Sequence, residues 1–376
     1  MATERFLLKD HLYNEAKVQK ISQEIRAAFP LFEQKKFEKK VLVKFPELEL
    51  MERVYWIRDC LRTFMPADYR QAVVILLKSL PPQNDPERSD DDFGDYIYAA
   101  YGSFVAEYGA NKKDVVFSLK ALHVLTTRFS CEFPLRTYLN QFPAQTLVAL
   151  SQWVTDEHYQ VRRLVSEGTR PTLPWGKNIT LDYQVPLQYL DILHADPARY
   201  VTRSVANHLN DIAKKDPDLV IKTLKRWQKQ KLQKTSELEY ITRHSLRSLV
   251  KSGHAGALAL LGFIPADIEV SQSSLTKQTI QLGEVLELSF SITSNSQKNQ
   301  WLLIDYIVYF QKANGTLAPK TFKITKTNLP AGETLTFSKR HPFKSMTTRK
   351  LYFGKHQFEP YINGKTYGKT RFNLVK

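Results

Sequence analysis

Three stretches decide the reading of this chain: DEHYQVRRLVSE at 156–167, DPARYVTRSVAN at 196–207 and SELEYITRHSLR at 236–247. Each opens on a residue suited to cap a helix, Asp156, Asp196 or Ser236, and the three stand forty residues apart. Five residues after each cap comes Val161, Val201 or Ile241, and seven after comes Arg163, Arg203 or Arg243. Four later still stand Glu167, Asn207 and Arg247. Pro197 suits a first helical turn, and Ser236 with Glu239 has the spacing of a capping box. A helical unit recurring every forty residues is the signature of a HEAT-like solenoid, whose units bury their apolar faces against their neighbours and whose concave side offers a groove.

The pattern outward from these repeats is helical up to about residue 262, with LMERVYWIRDCLRTF, YRQAVVILLKSL and FSLKALHVLTTRF all repeating apolar residues at three and four. After GFIPAD the period changes. VLELSFSIT, LLIDYIVYF, TFKITKT and TLTFSKR alternate as strands, separated by the turn pairs Asn295-Ser296, Asn314-Gly315, Ala331-Gly332 and Asn363-Gly364. About seven strands in some 110 residues predict an antiparallel β-sandwich of immunoglobulin-like type. The fold class is therefore α+β: a HEAT-like solenoid over 1–264 and a sandwich over 265–376, with the boundary near Pro265. PPQNDPERSDDDFGD at 81–95 reads as a polar surface loop joining early helices.

The formal net charge is +16, an excess that suits an anionic partner such as nucleic acid, a membrane surface or an acidic protein. From residue 266 on there are 16 Lys+Arg against 7 Asp+Glu, so more than half of that excess sits on the smaller domain. Its densest run is SKRHPFKSMTTRK at 338–350, which reads as a strand-end loop whose Lys339, Arg340, Lys344, Arg349 and Lys350 are suited to grip phosphates or enter a minor groove. In the solenoid, stacking would align Arg163, Arg203 and Arg243 on one face, with Asn207 and Arg247 one turn further on, a ladder suited to a phosphate backbone. Lys225, Arg226 and Lys229 lie in another basic helical stretch, which serves either as backbone contact or as a solvated face. The two cysteines, Cys60 and Cys131, form no disulfide framework and point to a reducing cytoplasm. The charged N-terminal stretch lacks a signal core, and no apolar run approaches the roughly 20 residues of a membrane span. Nine histidines are scattered without metal-ligand spacing, so neither a metal nor a cofactor is expected.

Two acids stand out against this basic background. VRRLVSEGTRPTLPWG at 161–176 gathers Arg163, Glu167, Arg170 and Trp175 at a helix exit. Glu167 precedes Gly168, where the helix dipole disfavours an anion, and Arg163 four residues earlier is the weaker orientation for an ion pair. Either Glu167 pairs with Arg163 or Arg170, or something cationic binds there. Glu132, in FSCEFPLRTYL at 129–139, falls at a helix end or turn, where spacing alone makes it an ordinary surface acid. Trp175 follows a proline turn, as a core plug or as an exposed aromatic face.

Arg163, Glu167, Arg170, Pro171, Pro174 and Trp175 resemble the signature of the AlkC branch of alkylpurine DNA glycosylases, and Glu132 to Arg136, EFPLR, is similar to a second segment of that family. The forty-residue repeats and a C-terminal immunoglobulin-like domain agree with it. The resemblance implies a monofunctional glycosylase that removes cationic N3-alkylated bases, 3-methyladenine and 3-methylcytosine, from double-stranded DNA and leaves an abasic site. It implies that Glu132 and Glu167 stabilise an oxocarbenium-like sugar, orient water, or both. Arg163 would then orient an acid or hold phosphate, and Trp175 would offer its face to the lesion or its sugar. Arg170, Arg203, Asn207, Arg243 and Arg247 would line the DNA, the base would stay near the stack, and no lysine would form a Schiff base. The expected form is a cytoplasmic monomer. The rival reading is a non-catalytic HEAT-repeat scaffold for DNA or protein.

Overall fold

Apolar residues at three-and-four spacing become helices throughout the first part of the chain. The computed structural model describes residues 7–88, 90, 93–344 and 350–376. The chain divides into two compact units, Met1–Lys215 with Arg226–Ser245, and Asp216–Lys225 with Leu246–Lys376.

The helices in chain order are α1 Leu8–Leu12, α2 Glu15–Ala28, α3 Gln34–Lys44, α4 Leu50–Phe64, α5 Tyr69–Lys78, α6 Ala99–Tyr108, α7 Val115–Thr126 and α8 Glu132–Gln141. There follow α9 Pro143–Trp153, α10 Tyr159–Gly168, α11 Leu187–Leu193, α12 Arg199–Ala213, α13 Pro217–Gln230 and α14 Thr235–Ser245. In the first unit α4, α6, α8, α10, α12 and α14 each pack on the next, making one continuous row of stacked helices. The seam of that row is the repeated apolar position: Val161, Val201 and Ile241 are all 0% exposed. Ion pairs tie successive repeats as well, Arg162 of α10 to Asp196 at 2.6 Å and Arg199 of α12 to Glu237 of α14.

The helix starts differ from the expected caps. Asp156 and Asp196 each accept a hydrogen bond from the backbone amide two residues on, His158 and Ala198, both at 2.9 Å. These are Asx turns that lead into the helix, so α10 and α12 begin three residues after the aspartates and Pro197 lies in the turn. The third helix begins earlier, at Thr235, which puts Ser236 inside it. It also ends at Ser245: Leu246 is fully buried with ψ of 0°, off helical geometry, and Arg247 opens a separate helix. Arg243 and Arg247 are therefore not neighbours on one helix.

The second unit carries α15 Arg247–Lys251 and α16 Ala255–Leu260, then β1 Ile268–Val270, β2 Ser274–Leu275, β3 Thr279–Gln281, β4 Val285–Ser294 and β5 Gln300–Gln311. It continues with β6 Leu317–Leu329, β7 Thr334–Pro342, β8 Gly354–Ile362, β9 Lys365–Thr366 and β10 Thr370–Val375. One sheet joins β1, β4 and β2, with β7 along β4; the other runs β3-β10-β8-β5-β6, with β9 on β8. The alternating residues of β4 (Leu286, Leu288, Phe290 and Ile292) and of β5 (Leu302, Ile304, Tyr306 and Val308) meet in one core. Pairing is antiparallel except where β3 runs parallel to β10, a departure from the all-antiparallel expectation.

The four turn pairs all lie between consecutive strands. Asn363 and Gly364 both have positive φ, 44° and 82°, the requirement of a two-residue type I′ hairpin between β8 and β9. The Asn363 amide accepts from the Leu303 backbone N–H at 2.7 Å and donates to the Ile264 and Trp301 carbonyls at 2.8 and 3.0 Å. A Cβ on Gly253 would meet the Tyr361 hydroxyl at 2.2 Å, and Thr321 donates to the Lys251 carbonyl at 3.4 Å. Packing thus groups α15 and α16 with the strands, ahead of the change in secondary structure near Pro265.

Leu209 is 0% exposed on α12, the central helix of the repeated trio. Leu209→Ala is expected to destabilise the first unit by about 2–5 kcal/mol, read as a lowered urea midpoint with the second unit's transition unmoved.

Candidate active site

The site is built from α8, α10 and α12, which stack in that order. Glu132 is the first residue of α8, at the end where the helix dipole favours an anion. Ser130, two residues before it, donates its hydroxyl to Glu132 Oε2 and accepts from Arg163 Nη1 of α10 at 2.5 Å. Arg163 Nη1 stands 3.7 Å from Glu132 Oε2, and Nη2 stands 3.9 Å from Glu167 Oε1. One buried guanidinium, 5% exposed, thus links the two carboxylates. It also lies 4.3 Å from the ring centroid of Tyr200, at the start of α12.

Glu167 is held more tightly. Arg170 Nη1 donates to Oε1 at 2.6 Å, and Ser204 of α12 donates to Oε2 at 2.6 Å. Arg170 turns its other edge to Asp211, whose Oδ2 lies 2.9 Å from both Nε and Nη2. Burial alone would raise the Glu167 pKa, but Arg163 and Arg170 hold it below its usual value. Burial would lower the Arg163 pKa, but Glu132, Tyr200 and Glu167 hold it above the usual arginine value. Behind them His208 is pushed down to about 3 by burial and by Arg170, so its neutral Nδ1–H donates to the Ser166 carbonyl at 3.0 Å.

The loop after α10 is pinned by Arg136 of α8, which is fully buried. It donates to the carbonyls of Gly168 at 3.2 Å, Arg170 at 2.8 Å and Lys177. That clamp holds both ends of the segment carrying Trp175. Trp175 is 81% exposed and has φ of +61°, left-handed backbone that costs a bulky L-residue about 1–3 kcal/mol. It is not a core plug. With Phe129, Ser130 and Phe133 it lines a cavity of about 550 Å³.

Over 99% of its length the chain superimposes on Pseudomonas fluorescens alkylpurine DNA glycosylase AlkC bound to DNA containing an abasic site analog, with a TM-score of 0.88, 33% identity and all of that chain covered. The chain belongs to the AlkC family of alkylpurine DNA glycosylases. It is also 33% identical over 368 residues to the uncharacterized protein YhaZ of Bacillus subtilis (strain 168), covering 96% of this chain and 98% of that protein. Residues 269–376 match the family model described as the C-terminal Ig-like domain of YhaZ.

On this AlkC-family framework the residues expected to line DNA separate by exposure. Arg170 is withdrawn from that set: it is buried, and its guanidinium is taken by Glu167 and Asp211. Arg203 is half-buried and pairs with Asp90, and Asn207 accepts from His244 Nε2 at 2.9 Å. Arg243 is exposed, whereas Arg247 belongs to α15 of the other unit. Of the other basic stretch, Arg226 pairs with Asp191 while Lys225 and Lys229 are exposed. In the sandwich, Lys339 and Arg340 sit within β7 rather than in a loop, facing Leu288 and Glu287 in register. Lys344 and Lys350 are exposed, and Arg349 lies outside the described residues.

The segment read as a mere connecting loop instead reaches the site. Phe93 packs edge-on against Tyr200 at 5.4 Å, and Gly94, with φ of +78°, bridges to Phe129. Ser130, Tyr200, Ser204 and Asp211 carry no motif of their own in the sequence, and Arg136 stands there only as the last residue of EFPLR. Tyr200 directly precedes the repeat residue Val201, so the repeat carried a signal for it.

Because the Glu167 pKa is lowered on folding, its contribution to stability is present above the unfolded value, near 4.5, and is lost as pH falls through the lower folded value. Glu167→Gln should be clearly less stable than wild type at pH 7, with the gap in thermal midpoint narrowing as pH falls below about 4.5.

Proposed function

We propose that this chain is a monofunctional DNA glycosylase that hydrolyses the N-glycosidic bond of cationic N3-alkylated bases, 3-methyladenine and 3-methylcytosine, in duplex DNA. The observation that carries the reading is the pair of carboxylates joined through the buried guanidinium of Arg163. An alkylated base already bears positive charge and leaves without much protonation. The charge then passes to the sugar, and a fixed carboxylate in a site with little water stabilises it.

The two acids divide the work. Glu167 has both oxygens engaged by Arg163, Arg170 and Ser204, which fits a positioning role that fixes Arg163. Glu132 keeps more of its side chain open, 15% against 8%, and is the acid that faces the sugar cation and its attacking water. The strained, exposed Trp175 offers its face to the cationic lesion, and the glycosidic bond is cut with the base near the stack rather than fully flipped. No lysine serves as a Schiff-base nucleophile. Arg243 of the solenoid and Arg340, Lys344 and Lys350 of the sandwich contact phosphates, and the protein works as a cytoplasmic monomer on alkylated double-stranded DNA.

The decisive assay incubates the protein with methylated duplex DNA and chromatographs the bases set free. Wild type should release 3-methyladenine, and Glu132→Gln should slow single-turnover release by about 10²–10³-fold with duplex affinity little changed. No release by wild type would leave a DNA-binding scaffold. Lys344→Ala and Lys350→Ala should each lower the salt slope of duplex binding by about 1, without altering lesion preference. Unchanged salt slopes would remove Lys344 and Lys350 from the DNA interface.

A further inference from the structure

The cavity lined by Trp175 has no part of its own in the chemistry above, yet Ser130 and Trp175 belong to both. Ser130, whose hydroxyl joins Arg163 to Glu132, is also part of the cavity wall. The remaining wall is largely flat and aromatic, with the rings of Tyr98, Phe129, Phe133 and Trp175. The Tyr98 hydroxyl is occupied by Glu24 at 2.9 Å, so it is the ring that Tyr98 contributes. Of the charged residues on the wall, Arg58 and Glu107 neutralise one another at 3.2 Å, which leaves the exposed Lys177. The rings stack a planar heterocycle, and the positive charge of Lys177 on the wall favours an uncharged one over a cation. A volume of about 550 Å³ is ample for one nucleobase.

We infer that this cavity receives the neutral base after cleavage, so that the two products of bond breaking part toward opposite environments. The inference rests on the glycosylase reading. When the C1′–N bond breaks, its electron pair stays with the base, which loses its positive charge. The charge appears on the sugar, and addition of water followed by loss of a proton completes the abasic product. The sugar cation stays beside Glu132 and the guanidinium-linked acid pair. The base, now neutral, has no electrostatic reason to remain there and moves across Ser130 onto the aromatic wall. Removing the leaving group from the sugar disfavours its recombination with the cation.

The test titrates free 3-methyladenine into the full-length protein by calorimetry, alone and with an abasic-site duplex bound. Two variants alter the cavity without touching Glu132, Arg163 or Glu167. Ala106→Phe puts a ring into it from α6, where Ala106 lines the wall, and Phe133→Leu removes a half-buried ring while keeping most of the volume. Saturable binding with the abasic duplex in place is expected. It should weaken tenfold or more in Ala106→Phe and measurably in Phe133→Leu, with duplex affinity held as the control for folding. No saturable binding up to millimolar base, or binding equal in both variants and wild type, overturns the inference. A base still attached to its strand has the same chemistry, so a duplex with 2-aminopurine at the lesion position separates the two sources. A change in its emission that Ala106→Phe abolishes would make the cavity a receptor for an everted base and overturn release as its purpose. Base excision without free-base binding sinks only this inference. Absence of excision by wild type sinks the glycosylase reading, whatever the titration shows.

Discussion

The site depends on one buried cation. Arg163 stands between two carboxylates and under an aromatic ring, and each of these contacts needs the others. An isolated guanidinium would not be tolerated at 5% exposure, and two neighbouring acids without it would repel. Because α8, α10 and α12 supply Glu132, Arg163 and Ser204, the chemistry is anchored to three stacked helices rather than to flexible loops. Fixed charges of this kind need no rearrangement when a positive charge develops nearby, which is what electrostatic stabilisation of a transient cation demands.

The supporting shell continues the same logic outward. Asp211 and Ser204 set Arg170 and Glu167, and those in turn set Arg163. Arg136 fastens the chain on both sides of Trp175 through three carbonyl groups, so an exposed ring is held on a backbone that cannot relax freely. The repeat position carries a gradient: Arg163 is buried, Arg203 half-buried and Arg243 exposed. One sequence pattern therefore yields an internal organiser at one end of the trio and a solvent-facing charge at the other.

Periodicity made most of the fold legible. The repeat of Val161, Val201 and Ile241 is a packing seam, and alternation in Leu286 to Ile292 is a sheet's inner face. The helix starts were harder, because Asp156 and Asp196 serve in an Asx turn as readily as in a cap, and nothing local distinguishes the two. The link from Arg163 to Glu167 lies within one helix and is readable from spacing. The contacts of Ser204 and Asp211 depend on the register between helices, which spacing within a single helix does not encode. The segment at 81–95 misled because its polar composition is that of a solvated loop, whereas a few residues, Phe93 and Gly94 among them, dock it on the site.

The two asparagine–glycine turns of the sandwich have different chemical lifetimes. Such pairs age when the backbone nitrogen of the glycine attacks the asparagine side chain to form a succinimide. That attack requires a free rotor. The Asn363 amide is locked by three backbone partners at once, whereas Asn314 is exposed and, among the described residues, accepts from Thr316 alone, in its own turn. Spontaneous deamidation in stored protein will therefore accumulate in the hairpin joining β5 to β6 and spare the one joining β8 to β9.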